Sequence, residues 1–278
     1  MSVLLHISDP HFGTEVAPVA SALLALARSL DPALVVLSGD ITQRARRAQF
    51  AAARRFMSEL APARPVLAIP GNHDIPLFDL RARLTSPYAN YQRAFGMALE
   101  PSYESDRLLV LCLNTTRWFR HKHGQVSDDQ IDRVATRLRR AGSEQLRVVV
   151  THQPVHVTRA ADRNNLLRNH ARAVRAWSDA GADILMGGHI HLPYVRSLRD
   201  QLPDLTHSTW VVQAGTAVSK RIRDDVPNSV NVLRHAEASS CSVERWDYAS
   251  AAREFRKVSC AELSLTRTQQ PTGQPRAS

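Results

Sequence analysis

The sequence is poor in cysteine and lysine, and it contains no long apolar run. Three cysteines, Cys112, Cys241 and Cys260, lie far apart among 278 residues. That number and spacing exclude a disulfide-stapled framework and point to a reducing, cytoplasmic setting. No apolar stretch approaches the ~18 residues that a membrane-crossing helix needs, so no span is expected. The amino terminus has no basic segment ahead of its apolar one, and His6 breaks Val3-Leu4-Leu5 at once, so it does not read as a secretory signal. Aromatic residues make up only 6% of the chain, and they are not interleaved with the basic residues as a single-strand nucleic-acid groove requires.

What is present is an apolar content of 44%, enough for a sizeable core, and a net charge of +10. A basic balance fits nucleic acid, anionic headgroups or phosphorylated small molecules. The arginines at 44, 46, 47, 54 and 55, and again at 133, 137, 139 and 140, fall on stretches that read as exposed helix faces. They read as a solvated surface.

Short apolar runs predict strands over Val3–Ser8, Leu34–Ser38, Pro65–Ile69, Leu108–Leu113, Leu146–Thr151, Ile184–Met186, Trp210–Gln213, Ser229–Arg234 and Ser242–Trp246. Helices are expected at about 17–30, 42–60, 78–95, 127–141 and 165–180. The fourth opens on Ser127 with Gln130 three residues later, a capping box. Strand–helix alternation over the first two-thirds predicts an α/β fold, and the closely spaced strands of the last third predict added β structure in a second sheet. No linker or repeat interrupts the chain, so a single domain over 1–262 is expected. The polar stretch 263–278 reads as a disordered tail.

Five strand ends carry metal-binding residue types: Ser8-Asp9-Pro10-His11, Gly39-Asp40, Gly71-Asn72-His73-Asp74, Thr151-His152 and Gly187-Gly188-His189-Ile190-His191. Ligands of open α/β sheets bind at the carboxyl ends of strands, so these blocks can converge on one crevice. Carboxylates, imidazoles and an amide carbonyl suit a divalent cation. Asp-x-His and His-x-His put two donors on one side of an extended strand end. Each fragment alone is weak: Gly-Asp after a strand is an ordinary turn, and a lone His152 reads equally as a hydrogen-bonded core histidine. Gly-Asn-His-Asp is sharper, with a chance expectation of roughly one per thousand chains of this composition.

Together the blocks resemble the signature of the calcineurin-like metallophosphoesterases, and they run from Asp9 to His191 with no position missing. The resemblance implies a four-layer α/β/β/α sandwich around two mixed sheets, and a centre of two divalent ions (Mn, Fe, Zn or similar). One ion would take Asp9, His11, Asp40 and His191. The other would take Asp40, Asn72, His152 and His189, with Asp40 bridging. The pair would share a hydroxide that attacks phosphorus. His73 would be catalytic, reaching the substrate to protonate the leaving oxygen or to stabilise phosphoryl charge, and Asp74 would orient a histidine.

Within that superfamily the chain looks most like bacterial class III cyclic nucleotide phosphodiesterases. The implied substrate is a small, nucleotide-like phosphodiester. The alternatives are a nuclease, a UDP-sugar-lipid pyrophosphate hydrolase or a non-catalytic binding protein. Three stretches are candidates for substrate selection: 117–124, whose Trp118 or Phe119 offers a stacking face and whose Lys122 or His123 offers a phosphate contact, 158–163 and 215–223.

Overall fold

The computed structural model describes residues 1–267. Its first half runs β1 (Ser2–Ile7), α1 (Ala17–Leu30), β2 (Leu34–Leu37), α2 (Arg47–Leu60), β3 (Val66–Ala68), α3 (Leu80–Thr85), α4 (Ala89–Phe95), β4 (Ser102–Glu104) and β5 (Leu108–Cys112). Then follow α5 (Asp128–Arg139), β6 (Leu146–Val150), α6 (His170–Asp179), β7 (Ile184–Gly187), β8 (Tyr194–Ser197), β9 (Trp210–Gln213), β10 (Ser229–His235), β11 (Ser240–Ala249) and β12 (Glu254–Ser264). They form two six-stranded sheets, ordered β12-β11-β10-β1-β2-β3 and β4-β5-β6-β7-β9-β8. Strands β1, β2 and β3 are mutually parallel, as are β5, β6, β7 and β9.

The central strands read as unbroken apolar runs because both of their faces are covered. Val3, Leu5 and Ile7 of β1 pack with Leu23 of α1 and Phe50 of α2. On the opposite face, Leu4 joins Val36, Val110 and Val148 in a layer drawn from both sheets. In β5, Leu109 and Leu111 face Ile131 of α5 and Trp177 of α6, while Leu108, Val110 and Cys112 enter the layer between the sheets. The period of two thus sorts one apolar run into two interfaces. The result is the expected four-layer sandwich of two mixed sheets. Among the described residues no helix is long and apolar enough to cross a membrane.

Several element expectations hold closely, and others shift for local reasons. The capping box at the start of α5 is formed, with the Gln130 amide donating to Ser127 Oγ at 3.2 Å and Ser127 N donating to Gln130 Oε1 at 2.9 Å. The helix expected from 42 starts only at Arg47, because Ala45 has φ 53° and the Thr42 hydroxyl caps its amide. The helix expected over 78–95 divides at Ser86-Pro87, since a residue before proline is driven away from helical geometry. The second sheet is built mainly from the middle of the chain. Of the late strands only β8 and β9 join it, and β10, β11 and β12 extend the first sheet antiparallel from β1.

The stretch expected as a tail from Leu263 is ordered over its first, described residues. Strand β12 continues to Ser264, Leu263 and Leu265 are buried in the layer between the sheets, and Arg267 pairs with the buried Asp183 at 2.7 Å. Alternation in β12 is sparse, with Phe255 and Leu263 the inward positions among many polar residues, which hid the strand in the sequence. Residues 268–278 lie outside the described residues.

Leu263→Ala is expected to destabilise the protein by ~2–5 kcal/mol, the range for a buried leucine truncated in a packed core. Urea unfolding measures it. A change within roughly 0.5 kcal/mol, typical of a surface position, would mean that Leu263 belongs to a loose tail after all.

Candidate metal centre

Each predicted block leaves the carboxyl end of a parallel strand. Asp9 and His11 follow β1, Asp40 follows β2, and Asn72 and His73 follow β3 in a single 3₁₀ turn. His152 follows β6 in the other sheet, and His189 and His191 follow β7. Because the sheets lie face to face with these ends together, the loops meet over one edge of the sandwich.

The loops turn sharply there. Asp9 (φ 51°), His11 (42°), Asp40 (48°), His189 (73°) and His191 (57°) are all in the left-handed region. Such a conformation costs a non-glycine residue roughly 1–2 kcal/mol, and clustering of this kind marks functional sites. Glycine is required at two neighbouring points. Gly39 has φ 96°, and a Cβ there would stand 2.5 Å from His152 Nδ1. A Cβ at Gly188 would lie 1.9 Å from Ser8 Oγ and 2.4 Å from Asp9 Oδ2.

The turned loops aim their donors at two adjoining points. Ligand atoms of Asp9, His11, Asp40 and His191 all lie within 4.8 Å of one another, and so do those of Asp40, His152 and His189. Asp40 belongs to both groups. Asn72 adjoins the second, its Oδ1 standing 3.3 Å from His152 Nε2. The seven residues expected as ligands therefore lie close together, the aspartates and histidines in the two groups above and Asn72 beside the second.

Neighbouring hydrogen bonds orient these atoms. His152 Nδ1 donates to Ser38 O at 2.8 Å, and His191 Nδ1 donates to Arg221 O at 2.5 Å, so both Nε2 atoms face the carboxylates. His152 Nε2 stands 3.3 Å from Asp40 Oδ1, and His191 Nε2 stands 3.3 Å from Asp9 Oδ1. Asp9 accepts from the Ser8 hydroxyl at 2.6 Å and from the His189 amide at 3.0 Å.

The electrostatics follow from burial and charge. Burial alone would raise both aspartates, but His191 and His152 hold the Asp9 carboxyl below its ordinary range, and His152 and His73 hold Asp40 well below it. Against its own burial, His152 is pushed up to about 9 by Asp40. Burial pushes His11 down to about 3, and burial with the neighbouring His152 does the same to His189.

The donor set fits a divalent cation on an observation independent of any motif. Both ring nitrogens of His189 are buried without a hydrogen-bond partner. An unsatisfied buried polar atom costs ~1–3 kcal/mol, and His11 Nε2 additionally faces His191 Nε2 at 3.2 Å. Two buried carboxylates ringed by imidazole lone pairs are a set that positive charge completes.

His73 lies beside the two groups. Its amide donates to Asp40 Oδ1 at 2.8 Å, and its Nδ1 donates to Gln43 O at 3.0 Å. That leaves Nε2 facing Arg221 Nη1 at 3.2 Å. Asp74 does not orient a histidine as expected. It accepts from the amides of Ile41 (2.9 Å), Thr42 (2.8 Å) and Gly71 (2.8 Å) and from the Thr42 hydroxyl (2.8 Å), so it clamps the β3 loop to the β2 loop. Burial, followed by the charge on Asp40, raises the Asp74 carboxyl to about 6.

A cleft of about 520 Å³ opens over this cluster. Stretch 117–124 contributes His121 and Lys122 to its wall, whereas Trp118 and Phe119 are exposed and outside it. Stretch 158–163 contributes Asp162, which neutralises Arg223 across a 2.9 Å contact. Stretch 215–223 contributes Arg221, whose guanidinium also reaches Gln43 Oε1 at 3.1 Å. Gln43 is the residue that sequence reasoning passed over, and Arg221 was reached only as one member of the candidate stretch 215–223. The run Lys220-Arg221-Ile222-Arg223 was the available signal, but a basic run alone does not separate a site from a solvated loop.

No curated protein matches the sequence. Among solved structures, the chain is similar to a purple acid phosphatase from yellow lupin (Lupinus luteus) seeds, with a TM-score of 0.66 and 12% identity. That match covers 95% of this chain and 53% of the lupin chain, so the present chain spans about half of that protein. It is also similar to Vacuolar Protein Sorting 29 from Cryptosporidium parvum, with a TM-score of 0.52, 12% identity and coverage of 95% and 98%. At such identities the likeness concerns the fold. The profile of one family matches residues 2–193, a span that includes every block described above, and the chain therefore belongs to the calcineurin-like phosphoesterase family.

Proposed function

We propose that the chain is a dinuclear metal-dependent phosphodiesterase acting on a nucleotide-like phosphodiester. The observation that carries the reading is the pair of Asp/His groups sharing Asp40, with buried imidazole nitrogens that lack partners, on the floor of a basic cleft. In this reading Asp9, His11, Asp40 and His191 hold one ion, and Asp40, Asn72, His152 and His189 hold the other. Two such ions would polarise the phosphoryl oxygens and supply an activated water at neutral pH.

The remaining chemistry falls to the chain's own side chains. His73 Nε2 and Arg221 Nη1 point into the cleft from one wall, so a phosphate lying over Asp40 meets an imidazole and a guanidinium together. Arg221 has no carboxylate partner among the described residues, and its charge is available to a phosphoryl oxygen. Arg223 is neutralised by Asp162 and is left to shape the wall. The Gln43 carbonyl fixes the His73 ring, keeping Nε2 toward the ester. Three unbridged cysteines, two of them buried, fit a reducing, cytoplasmic setting.

The polynucleotide alternative draws on the +10 charge. Many exposed arginines are already paired, among them Arg64 with Asp31 (2.7 Å), Arg107 with Glu144 (3.3 Å) and Arg137 with Glu104 (2.8 Å). Hydrolysis of a small diester should therefore change little between 50 and 200 mM salt. A nuclease that neutralises six to ten phosphates would lose roughly 10³–10⁵ in affinity over that interval.

Asp40→Ala is expected to lower kcat/KM beyond the roughly 10–100-fold that removing an outer-shell metal partner costs. Saturating Mn²⁺ should raise the melting temperature of the wild type and leave that of Asp40→Ala unmoved, because only a folded state with an intact site gains from binding. Unchanged turnover or an unchanged Mn²⁺ shift would sink the reading. His73→Ala should behave differently. It should keep the Mn²⁺ shift but lose about 10²–10⁴ in kcat on bis(p-nitrophenyl) phosphate, the range of a positioned acid–base group.

A further inference from the structure

A second cavity, of about 420 Å³, adjoins the metal cleft. The two share Asn72, His73 and His121, so His73 stands in the wall between them. The far side of the second cavity is made by Phe78 and Arg44. Phe78 is 76% exposed, although it is an apolar residue directly beside a polar site. Arg44 lies over its ring, the guanidinium carbon 5.5 Å from the ring centre, and has no carboxylate partner among the described residues.

This wall is held in place. The Asp79 carboxylate caps α3 by accepting from the Ala82 amide at 2.9 Å. From that helix, Arg83 donates to Pro76 O at 3.0 Å and to Arg120 O at 2.9 Å, tying the Phe78 loop to the loop that carries His121. An exposed phenylalanine on a braced loop, with a guanidinium on its face, is a stacking platform for a flat, electron-rich ring.

We propose that Phe78 and Arg44 form a subsite for the nucleobase carried on a nucleoside ester arm of a substrate whose phosphate lies over Asp40. The inference rests on the phosphodiesterase reading above and deepens it. An arm leaving the phosphate on the His73 side has the second cavity in front of it, and the stacking face there is Phe78. Trp118 and Phe119, the aromatics that the sequence put forward, stand outside both cavities.

The test compares adenosine 5′-monophosphate with ribose 5-phosphate, which share the phosphate and sugar and differ in the base. Calorimetric Kd values are measured on the full chain loaded with Mn²⁺, for the wild type, Phe78→Ala, Phe78→Trp and Arg44→Gln. The wild type should bind the nucleotide about tenfold more tightly than the sugar phosphate, within the range of base–aromatic stacking. Phe78→Ala should remove that ratio, Phe78→Trp should keep it, and Arg44→Gln should reduce it, with ribose 5-phosphate affinity constant throughout.

A ratio of one in the wild type, or a ratio that survives in Phe78→Ala, would overturn the subsite and leave the metal-cleft reading standing. Binding of neither phosphate would overturn that reading, and the subsite with it. An unchanged ratio with a smaller hydrodynamic mass in Phe78→Ala would make the exposed ring a contact between copies, which also overturns the proposal.

Discussion

Two buried carboxylates, Asp9 and Asp40, face four imidazoles at the seam between two sheets, and much of the local architecture serves that juxtaposition. Like charges do not gather in a low-dielectric interior without compensation. Here the compensation is partly internal, from His152 and His191 and from the amides of His73 and His189. It stays incomplete, since the buried ring nitrogens of His189 have no partner. The left-handed turns and the glycines at 39 and 188 are what it takes to aim so many polar side chains at one small volume.

The sandwich supplies the stiffness that this arrangement needs. The five loops spring from parallel strands, four of them central and β3 at a sheet edge, whose two faces are packed, one against helices and the other in the apolar layer between the sheets. Bonds across the seam register the sheets on each other. The His152 ring donates to Ser38 O, and the His189 amide donates to the Asp9 carboxylate. Asp74 does the same within the first sheet by joining the β2 and β3 loops. A misplacement of even ~1 Å is costly in a reactive site, and these contacts are short and buried.

Around the rigid floor, the walls differ in charge state rather than in composition. Arginines are abundant, but many are engaged: Arg223 in the cleft wall with Asp162, and elsewhere Arg159 with Asp224 and Arg83 with two backbone carbonyls. Arg221 and Arg44 line the two cavities that His73 separates, and no carboxylate meets either among the described residues. A chain with a large net positive charge therefore presents few free cations at its cleft. This is why overall charge said little about the ligand.

Much of the site was legible in the sequence because metal-binding residue types stand at strand ends, and strands are recognisable from short apolar runs. Gly71-Asn72-His73-Asp74 and Gly188-His189-Ile190-His191 specify both the donors and the turns that present them. The capping box at Ser127 was equally local, needing only Gln130 three residues on. Beyond that reach, the sequence was mute. That Asp74 clamps two loops, that Gln43 and Arg221 hold His73, and that Phe78 rather than Trp118 lines the cavity beside the cleft all depend on residues about 30 to 150 positions apart meeting in space. Strand β12 was hidden because one face meets solvent and its inward positions are few, so only its pairing with β11 and the burial of Leu263 and Leu265 define it. Local patterns determined which metal-binding side chains stand at the strand ends. The packing of two sheets face to face decided which of them touch, because the order of residues along the chain carries no information about which loops share a rim.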